Sequence, residues 1–410
     1  MAEERVDTKP EITPETQDAV TEQKKKAKPF EMERYFAISL DPVHVGTGGY
    51  RLGRVDNTIV REPGTNVPKI PGSSIAGVTR AYTAMAVQGD TELPIGSDNS
   101  IDFNAYKRCK YLRPAYKFAE QVLPDRLLIK RNDEGKLTYQ GKDPTKYFSC
   151  AGKGAEDGDG HCGEPDCEVC VTFGFSKKKS SFQGLAQFHD ARILFFPVYT
   201  MIGPVWITCP SILAYFNQQC HVDPEKFRPI NTTTPPLGGR LNFGWLLLEQ
   251  DSTGPFKIDF STFSESTPLC KKVYEMVFER TFVVSDRVFS QIVNDNLEVR
   301  TSVAIDPQTG AAEEGALFTY EAIPRATVFW FEVVFSNPRH FKIDGKKTIT
   351  MKSKDEIADS KNLKEEEADI PWLKTNVKNG LKYFETLGIG GMNTRGMGRI
   401  RVFFGNGKEE

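Results

Sequence analysis

The chain has 410 residues, 39% of them hydrophobic, enough to bury a large core, which excludes a disordered chain or a disulfide-stapled miniprotein. Its 53 Lys and Arg stand against 55 Asp and Glu, a formal net charge of -2, so the total shows no basic coat for nucleic acid, although a balanced sum can hide local patches. Eight cysteines are too few for a disulfide scaffold, and Cys150, Cys162, Cys167 and Cys170 crowd into one stretch, the pattern of a metal site in a reducing compartment.

Residues 1–30 carry charges of both signs and lack the apolar run of a secretory signal, and are read as a disordered leader. Tyr35-Phe36-Ala37-Ile38-Ser39-Leu40 predicts a strand closed by Asp41-Pro42. A long loop from His44 to Pro71 follows, with Gly46, Gly48, Gly49, Gly53 and Gly64, and ends in Ile70-Pro71-Gly72-Ser73-Ser74. From there Ile75, Val78, Thr79, Tyr82 and Met85 recur at three- and four-residue steps, which predicts a helix with Ser73 or Ser74 as N-cap. A glycine-rich loop feeding such a helix offers free backbone N–H groups that suit a phosphate.

The charge-free stretch Ile193–Phe216 is interrupted by Pro197, Pro204 and Pro210, too often for a bilayer-spanning helix, and reads as two buried strands with turns. The expectation is a soluble, cytoplasmic protein with no membrane partner. Between 283 and 326, strand-like ends (Thr281–Val284 and Ala316–Tyr320) enclose a polar middle, which predicts a projecting hairpin or arm. Lys342–Asp369 mixes charges of both signs and reads as a solvated surface insertion, as does the Lys177-Lys178-Lys179 run as solvated surface. Asp369 then caps a helix with Pro371 in its first turn and an apolar stripe of Leu373, Val377, Leu381 and Phe384, stopped by Gly388. The glycine-rich loop Gly390–Arg399 leads into a strand from Ile400 to Phe404. It follows a helix and precedes a strand, the reverse of a dinucleotide fingerprint, so no nucleotide cofactor is expected. Without regular strand-helix alternation, the class is α+β with a largely antiparallel sheet.

Cys162-x4-Cys167-x2-Cys170 supplies three thiolates, with Cys150 or His161 as candidates for a fourth ligand, although His161 directly beside Cys162 would ligate under strain. Four such ligands close a tetrahedral zinc and leave no place for water, so the expected role is structural, and an iron–sulfur cluster of similar spacing stays open. Cys109, Cys209, Cys220 and Cys270 read as ordinary thiols. Asp56 sits in a glycine-flanked loop with Arg51, Arg54 and Arg61 nearby, where a carboxylate could stand beside a basic surface carrying a phosphodiester. Taken by itself, such an aspartate reads first as a turn residue that satisfies local N–H groups, and His44, which could serve as a base or an RNA contact, reads first as a structural residue.

Three blocks together resemble the RAMP superfamily of CRISPR-associated proteins: Gly53 through Asp56 to Pro71-Gly72-Ser73-Ser74 and Arg80, the Phe173-Gly174 pair, and the loop Gly390–Gly398. Asp190–Val198 and Leu317–Pro324 are similar to the backbone subunit of type III effector complexes of the Cmr kind, and the matching blocks span residues 35–404. The resemblance implies a ferredoxin-like, RRM-like βαββαβ core with a thumb-like hairpin, in one RAMP domain over 31–410 enlarged near 88–182, which holds the cysteines and a zinc-binding insertion, at 283–326 (the thumb) and at 342–369. It implies copies stacked along a CRISPR RNA beside other effector subunits, thumbs that displace nucleotides of the guide-target duplex, and cutting of complementary target RNA with a divalent ion, Mg or Mn.

Asp56 matches the family's cleavage aspartate, and the RNA's own 2′-OH would be the nucleophile. Ser73 and Ser74 with Gly390, Gly391, Asn393 and Gly396 would line the guide backbone, and His44, Arg51, Arg54, Arg61, Arg80, Arg395 and Arg399 would contact RNA. The alternatives are a non-catalytic guide-RNA scaffold, and a histidine-dependent nuclease that matures the guide precursor, which five histidines without an obvious pair argue against.

Overall fold

The computed structural model describes residues 28–48, 55–89, 129–131, 137–139, 150–152, 161–230, 239–258, 277, 279–352 and 365–404. Most of the leader, Arg51, Arg54, Cys109, Cys270, much of the 88–182 stretch and the middle of 342–369 lie outside the described residues.

The strands of the eleven-stranded sheet and of the hairpin at 298–322, in chain order, are β1 (Phe30–Ser39), β2 (Lys69–Ile70), β3 (Ala186–Phe188), β4 (Ala191–Thr200), β5 (Gly203–Thr208), β6 (Lys226–Pro229), β7 (Arg240–Phe243), β8 (Leu246–Gln250), β9 (Thr281–Val284), β10 (Glu298–Ile305), β11 (Ala312–Ala322), β12 (Val328–Ser336) and β13 (Ile400–Phe403); short two-stranded ladders lie outside them. Helices are α1 (Gly72–Gly89), α2 (Glu168–Phe173), α3 (Pro210–Ala214), α4 (Asp286–Asp295) and α5 (Ile370–Leu381). One sheet runs β7-β8-β6-β9-β5-β4-β12-β1-β13, with β2 on β4 and β3 on β12. Its centre, β4-β12-β1-β13, is antiparallel throughout. The outer part is not: β6 pairs β8 and β9 pairs β5 in parallel, so the sheet is mixed rather than largely antiparallel at that end.

β12 reads Val-Phe-Trp-Phe-Glu-Val-Val-Phe-Ser, nearly continuous apolar residues, because both faces of the sheet centre are covered. Phe329, Phe331, Val333 and Phe335 join the core under α1 and α5, together with Tyr35 and Ala37 of β1. Val328 and Trp330 point the other way, into a second core with Ile38, Leu213 and Phe216. A register shift between Val328 and Phe329 where they pair β4 lets Leu194 and Phe195 both enter that second core. A fully buried Phe contributes about 1.5–3 kcal/mol, so the first apolar layer rather than helix propensity fixes α1 and α5 in place. The helices touch where Thr79 meets Gly380: a Cβ on Gly380 would stand 2.5 Å from the Thr79 carbonyl, and Thr83 Oγ1 donates to the Asn376 carbonyl at 2.9 Å.

The stretch Ile193–Phe216 forms β4, β5 and the short α3, as its prolines and apolar runs suggest. Asp369 caps α5, accepting from the Trp372 N–H at 2.9 Å. Around 283–326 the expectation is corrected. Thr281–Val284 is buried in the main sheet, α4 follows it, and the two-stranded hairpin is β10-β11 alone. Among the described residues, no helix is long and apolar enough to cross a membrane.

Candidate nucleic-acid interface and metal centre

α1 begins at Gly72, one turn position before the serines expected to cap it, with Ser74 N–H and Ile75 N–H on the Pro71 carbonyl. The Gly72 N–H is taken by Asp190 Oδ1 at 2.8 Å, and Lys69 Nζ holds Asp190 Oδ2 at 2.6 Å. That carboxylate occupies the helix terminus read from sequence as a phosphate seat. Gly72 is needed for close approach, since a Cβ there would sit 2.3 Å from the Phe188 carbonyl oxygen. Ser73 is exposed and Ser74 half-buried in this first turn.

The loop after β1 is sewn onto β11 and the C-terminal glycine loop. Val43 and Ile323 exchange backbone bonds of 2.8 and 2.9 Å, Asn57 N–H donates to Thr319 O at 3.0 Å, and Glu321 N–H donates to Asn57 O at 3.0 Å. Gly391 N–H donates to His44 O and Gly398 N–H to Pro42 O, both at 2.8 Å. Gly390, at φ +86°, approaches so closely that a Cβ would lie 2.4 Å from His44 O. These segments lie hundreds of residues apart in sequence, and the hydrogen-bond pattern brings His44, Asp56, Arg61 and the glycine loop into one surface region beside the base of the hairpin.

Asp56 is exposed, and its Oδ2 accepts from Thr319 N–H at 2.7 Å and from Thr319 Oγ1 at 2.9 Å, while Asp56 N–H donates back to that hydroxyl at 3.2 Å. The Thr319 N–H, then its hydroxyl, hold the Asp56 carboxyl below the usual aspartate value, so it stays ionised. His44 is buried; its Nδ1 lies 2.5 Å from the Glu321 carbonyl oxygen, which can only accept, so Nδ1 donates there, and its ring meets Tyr320 edge-on.

The arginines are more committed than their sequence positions suggest. Arg61 bonds Asn294 Oδ1, the Ile59 carbonyl and Glu321 Oε2 at 3.0, 3.0 and 2.7 Å. Arg399 grips Asp41 through two bonds, and Arg395 donates to Ser302 Oγ at 3.1 Å while its guanidinium lies 5.7 Å from the Phe318 ring centre. Arg80 donates to the Cys150 carbonyl at 2.8 Å and meets His161 Nδ1 at 2.9 Å. These guanidinium groups all bear on the protein itself. Asn393, though exposed, donates to Leu387 O at 3.1 Å, and Gly396 closes the short turn at φ +75°.

Among the described residues, the aromatic side chains at the sheet centre pack against the protein itself. Phe36 and Trp330, the aromatics of β1 and β12 on the side away from α1 and α5, are covered by Phe216 at ring distances of 6.0 and 5.2 Å, with Arg34 4.9 Å from the Phe216 centre.

Beside the middle of α1, where Arg80 donates to the Cys150 carbonyl, Cys150, Cys162, Cys167 and Cys170 bring their sulfurs within 4.8 Å of one another. The Cys162–Cys170 separation is 3.6 Å, and zinc–sulfur bonds of about 2.3 Å place tetrahedral sulfurs about 3.8 Å apart. Cys167 caps α2 and accepts the Cys170 N–H at 3.3 Å, the hydrogen bond that a thiolate ligand uses to spread its charge. Hydrogen bonds from the neighbouring thiols push the Cys150 thiol far down, as expected where one sulfur of a packed set ionises first. The set can hold a metal such as zinc. Its fourth member is Cys150; His161 lies outside it, turned to Arg80. Cys209 is buried elsewhere and Cys220 half-buried.

Thr319, Glu321 and Asp190 escaped the sequence reading as site residues. All three lie in the blocks Leu317–Pro324 and Asp190–Val198 that carried the resemblance, but their partners stand 263, 260 and 118 residues away.

The chain is 23% identical over 316 residues to the CRISPR system Cmr endoribonuclease Cmr4 of Pyrococcus furiosus, covering 73% of this chain and 80% of that protein. Among solved structures, oligomeric Cmr4 from Pyrococcus furiosus matches at 17% identity over 92% of this chain and 98% of its own, with a TM-score of 0.43. A type III-B Cmr-beta complex bound to cognate target RNA contains a chain matching at 12% identity over 92% and 98%, with a TM-score of 0.47. The model of the RAMP superfamily matches residues 38–401, and with that span the chain belongs to the RAMP superfamily.

Proposed function

We propose that this chain is a guide-RNA-binding backbone subunit of a type III CRISPR effector complex, stacked with copies of itself and other subunits along the guide, which cuts complementary target RNA with Asp56. The observation that carries the reading is the Asp56 carboxylate: exposed, ionised and held through Oδ2 alone, so that Oδ1 accepts no hydrogen bond among the described residues. The name of the Pyrococcus furiosus relative, a Cmr endoribonuclease, supports the reaction class. The order β4-β12-β1-β13, with α1 between β1 and β4 and α5 between β12 and β13, supports a ferredoxin-like βαββαβ core in a single domain, and β10-β11 is its thumb.

In the proposed reaction the target's 2′-oxygen bonds to the adjacent phosphorus as the bond to the departing 5′-oxygen breaks, leaving a cyclic phosphate and a 5′-hydroxyl. Asp56 aligns or accepts the 2′-OH proton, and the leaving oxygen is protonated from solvent. A divalent ion, Mg or Mn, would be held by Asp56 Oδ1 and the phosphate, and would supply positive charge against the phosphorane. The guide backbone lies along Ser73, Ser74 and the loop from Gly390 to Gly396, with Arg51 and Arg54 as cationic contacts. Zinc in the four-cysteine set is structural, since four thiolates leave no open position.

The anchoring of Asp56 to Thr319 also favours a second reading, a non-catalytic scaffold in which Asp56 only staples its loop to the hairpin. One experiment separates the two. In the complex assembled on guide RNA, Asp56→Asn keeps an acceptor for Thr319 but removes the charge, and cleavage of complementary RNA is expected to vanish with guide content unchanged. Cleavage at the wild-type rate would establish the scaffold reading.

A further inference from the structure

Resting on the proposed role of Asp56, we infer that Thr319 is a positioning residue for target cleavage, holding the Asp56 carboxylate in one orientation through a reciprocal pair of hydrogen bonds. The Thr319 hydroxyl donates to Asp56 Oδ2 at 2.9 Å and accepts the Asp56 N–H at 3.2 Å, and the Thr319 N–H donates to the same Oδ2 at 2.7 Å. Three bonds thereby define both the backbone and the side chain of Asp56. An exposed aspartate in a glycine-flanked loop would otherwise sample its rotamers freely, and each would carry the reactive oxygen to a different place.

All of the clamp falls on Oδ2. A carboxylate bound through one oxygen keeps the lone pairs of the other for a hydroxyl or a cation, at a fixed point in space. Positioning of this kind acts on rate rather than on affinity, because misplacement of a reacting group by about 1 Å can cost roughly a hundredfold.

Thr319 is itself held. Its carbonyl accepts the Asn57 N–H at 3.0 Å, its neighbour Phe318 lies under the Arg395 guanidinium, and its other neighbour Tyr320 is buried against Met397. The loop at residues 392–397 therefore braces β11 from one side while Asp56 is held from the other, which links the proposed guide-binding loop to the carboxylate through packed side chains. Any residue but proline at 319 would supply the N–H, whereas only Ser or Thr supplies a short hydroxyl that both donates to Oδ2 and accepts from the Asp56 amide.

The test uses the complex assembled on guide RNA, with single-turnover cleavage and target affinity measured separately. Thr319→Val keeps the β-branched shape and the N–H but lacks the hydroxyl; at saturating complementary RNA its cleavage rate is expected to fall about tenfold, with target affinity within about twofold of wild type. Thr319→Ser is expected to recover the rate to within about threefold. Asp56→Ala in parallel should not cut. If Asp56→Ala is inactive while Thr319→Val cuts at the wild-type rate, the positioning role is overturned and the role of Asp56 stands. Loss of target affinity in Thr319→Val, or a Ser variant as slow as Val, also overturns it, since either marks a role in binding or folding. If Asp56→Ala cuts normally, the catalytic reading of Asp56 falls, and the inference falls with it.

Discussion

The Arg61 guanidinium meets the Glu321 carboxylate at 2.7 Å, with both side chains mostly buried, and the same guanidinium reaches Asn294 on α4. This one group ties the Asp56 loop to β11 and to the helix that precedes the hairpin. Removing the carboxylate strands a mostly buried cation, so Glu321→Ala is expected to cost about 2 kcal/mol in chemical denaturation. A variant as stable as wild type would mean that Arg61 does not depend on this pair and is available to RNA.

The start of α1 depends on Asp190. Burial pushes the Asp190 carboxyl up, but the Lys69 ammonium and the Gly72 N–H outweigh it, and the folded value lies below the ordinary one. A depressed folded value means the contribution is fully present above the unfolded aspartate range, near pH 4, and is lost as pH falls through the folded value. Asp190→Asn is therefore expected to lose about 1 kcal/mol at pH 7, a cap effect discounted for a carboxylate about a third exposed, with the deficit shrinking below about pH 4. A deficit that stays constant down to pH 2 would place its origin outside the Asp190 charge.

For the cysteine set, metal analysis of the purified protein should return about one zinc per chain. Cys150→Ser should lower that content and the melting temperature, whereas His161→Ala should leave the zinc in place, because the histidine lies outside the thiol set. Iron in place of zinc, or zinc loss in His161→Ala with retention in Cys150→Ser, would refute the assignment.

Much of the fold was legible because local chemistry decides it. The apolar run at Tyr35–Leu40, the capped stripe from Asp369 and the proline-broken stretch after Ile193 each carry their own periodicity, and each became the element it suggests. Elements whose identity depends on distant partners were not legible. Thr281–Val284 reads as one arm of a hairpin, yet a threonine followed by three apolar residues fits a buried central strand equally well, and only pairing with β5 and β6 decides between them. The serines after Pro71 have N-cap chemistry, but a carboxylate 118 residues away reached the helix end and the turn began earlier.

The same division holds at the site. Cysteine spacing by itself marked a metal centre, since ligand type and sequence proximity suffice for three of its four members, and only packing chose Cys150 over His161 as the fourth. Asp56 and the arginines could be picked out along the chain, but whether each is free or engaged is a property of neighbours that sequence does not order. Thr319 on Asp56, Glu321 on Arg61, Asp41 on Arg399 and Ser302 on Arg395 are contacts across 93 to 358 residues. Periodicity and residue chemistry act over a few neighbours and so determined the elements and the candidate groups. Hydrogen bonding and packing act over a few ångströms regardless of chain distance, and they alone decided which of those groups are bound within the protein and that Thr319 meets Asp56 through Oδ2.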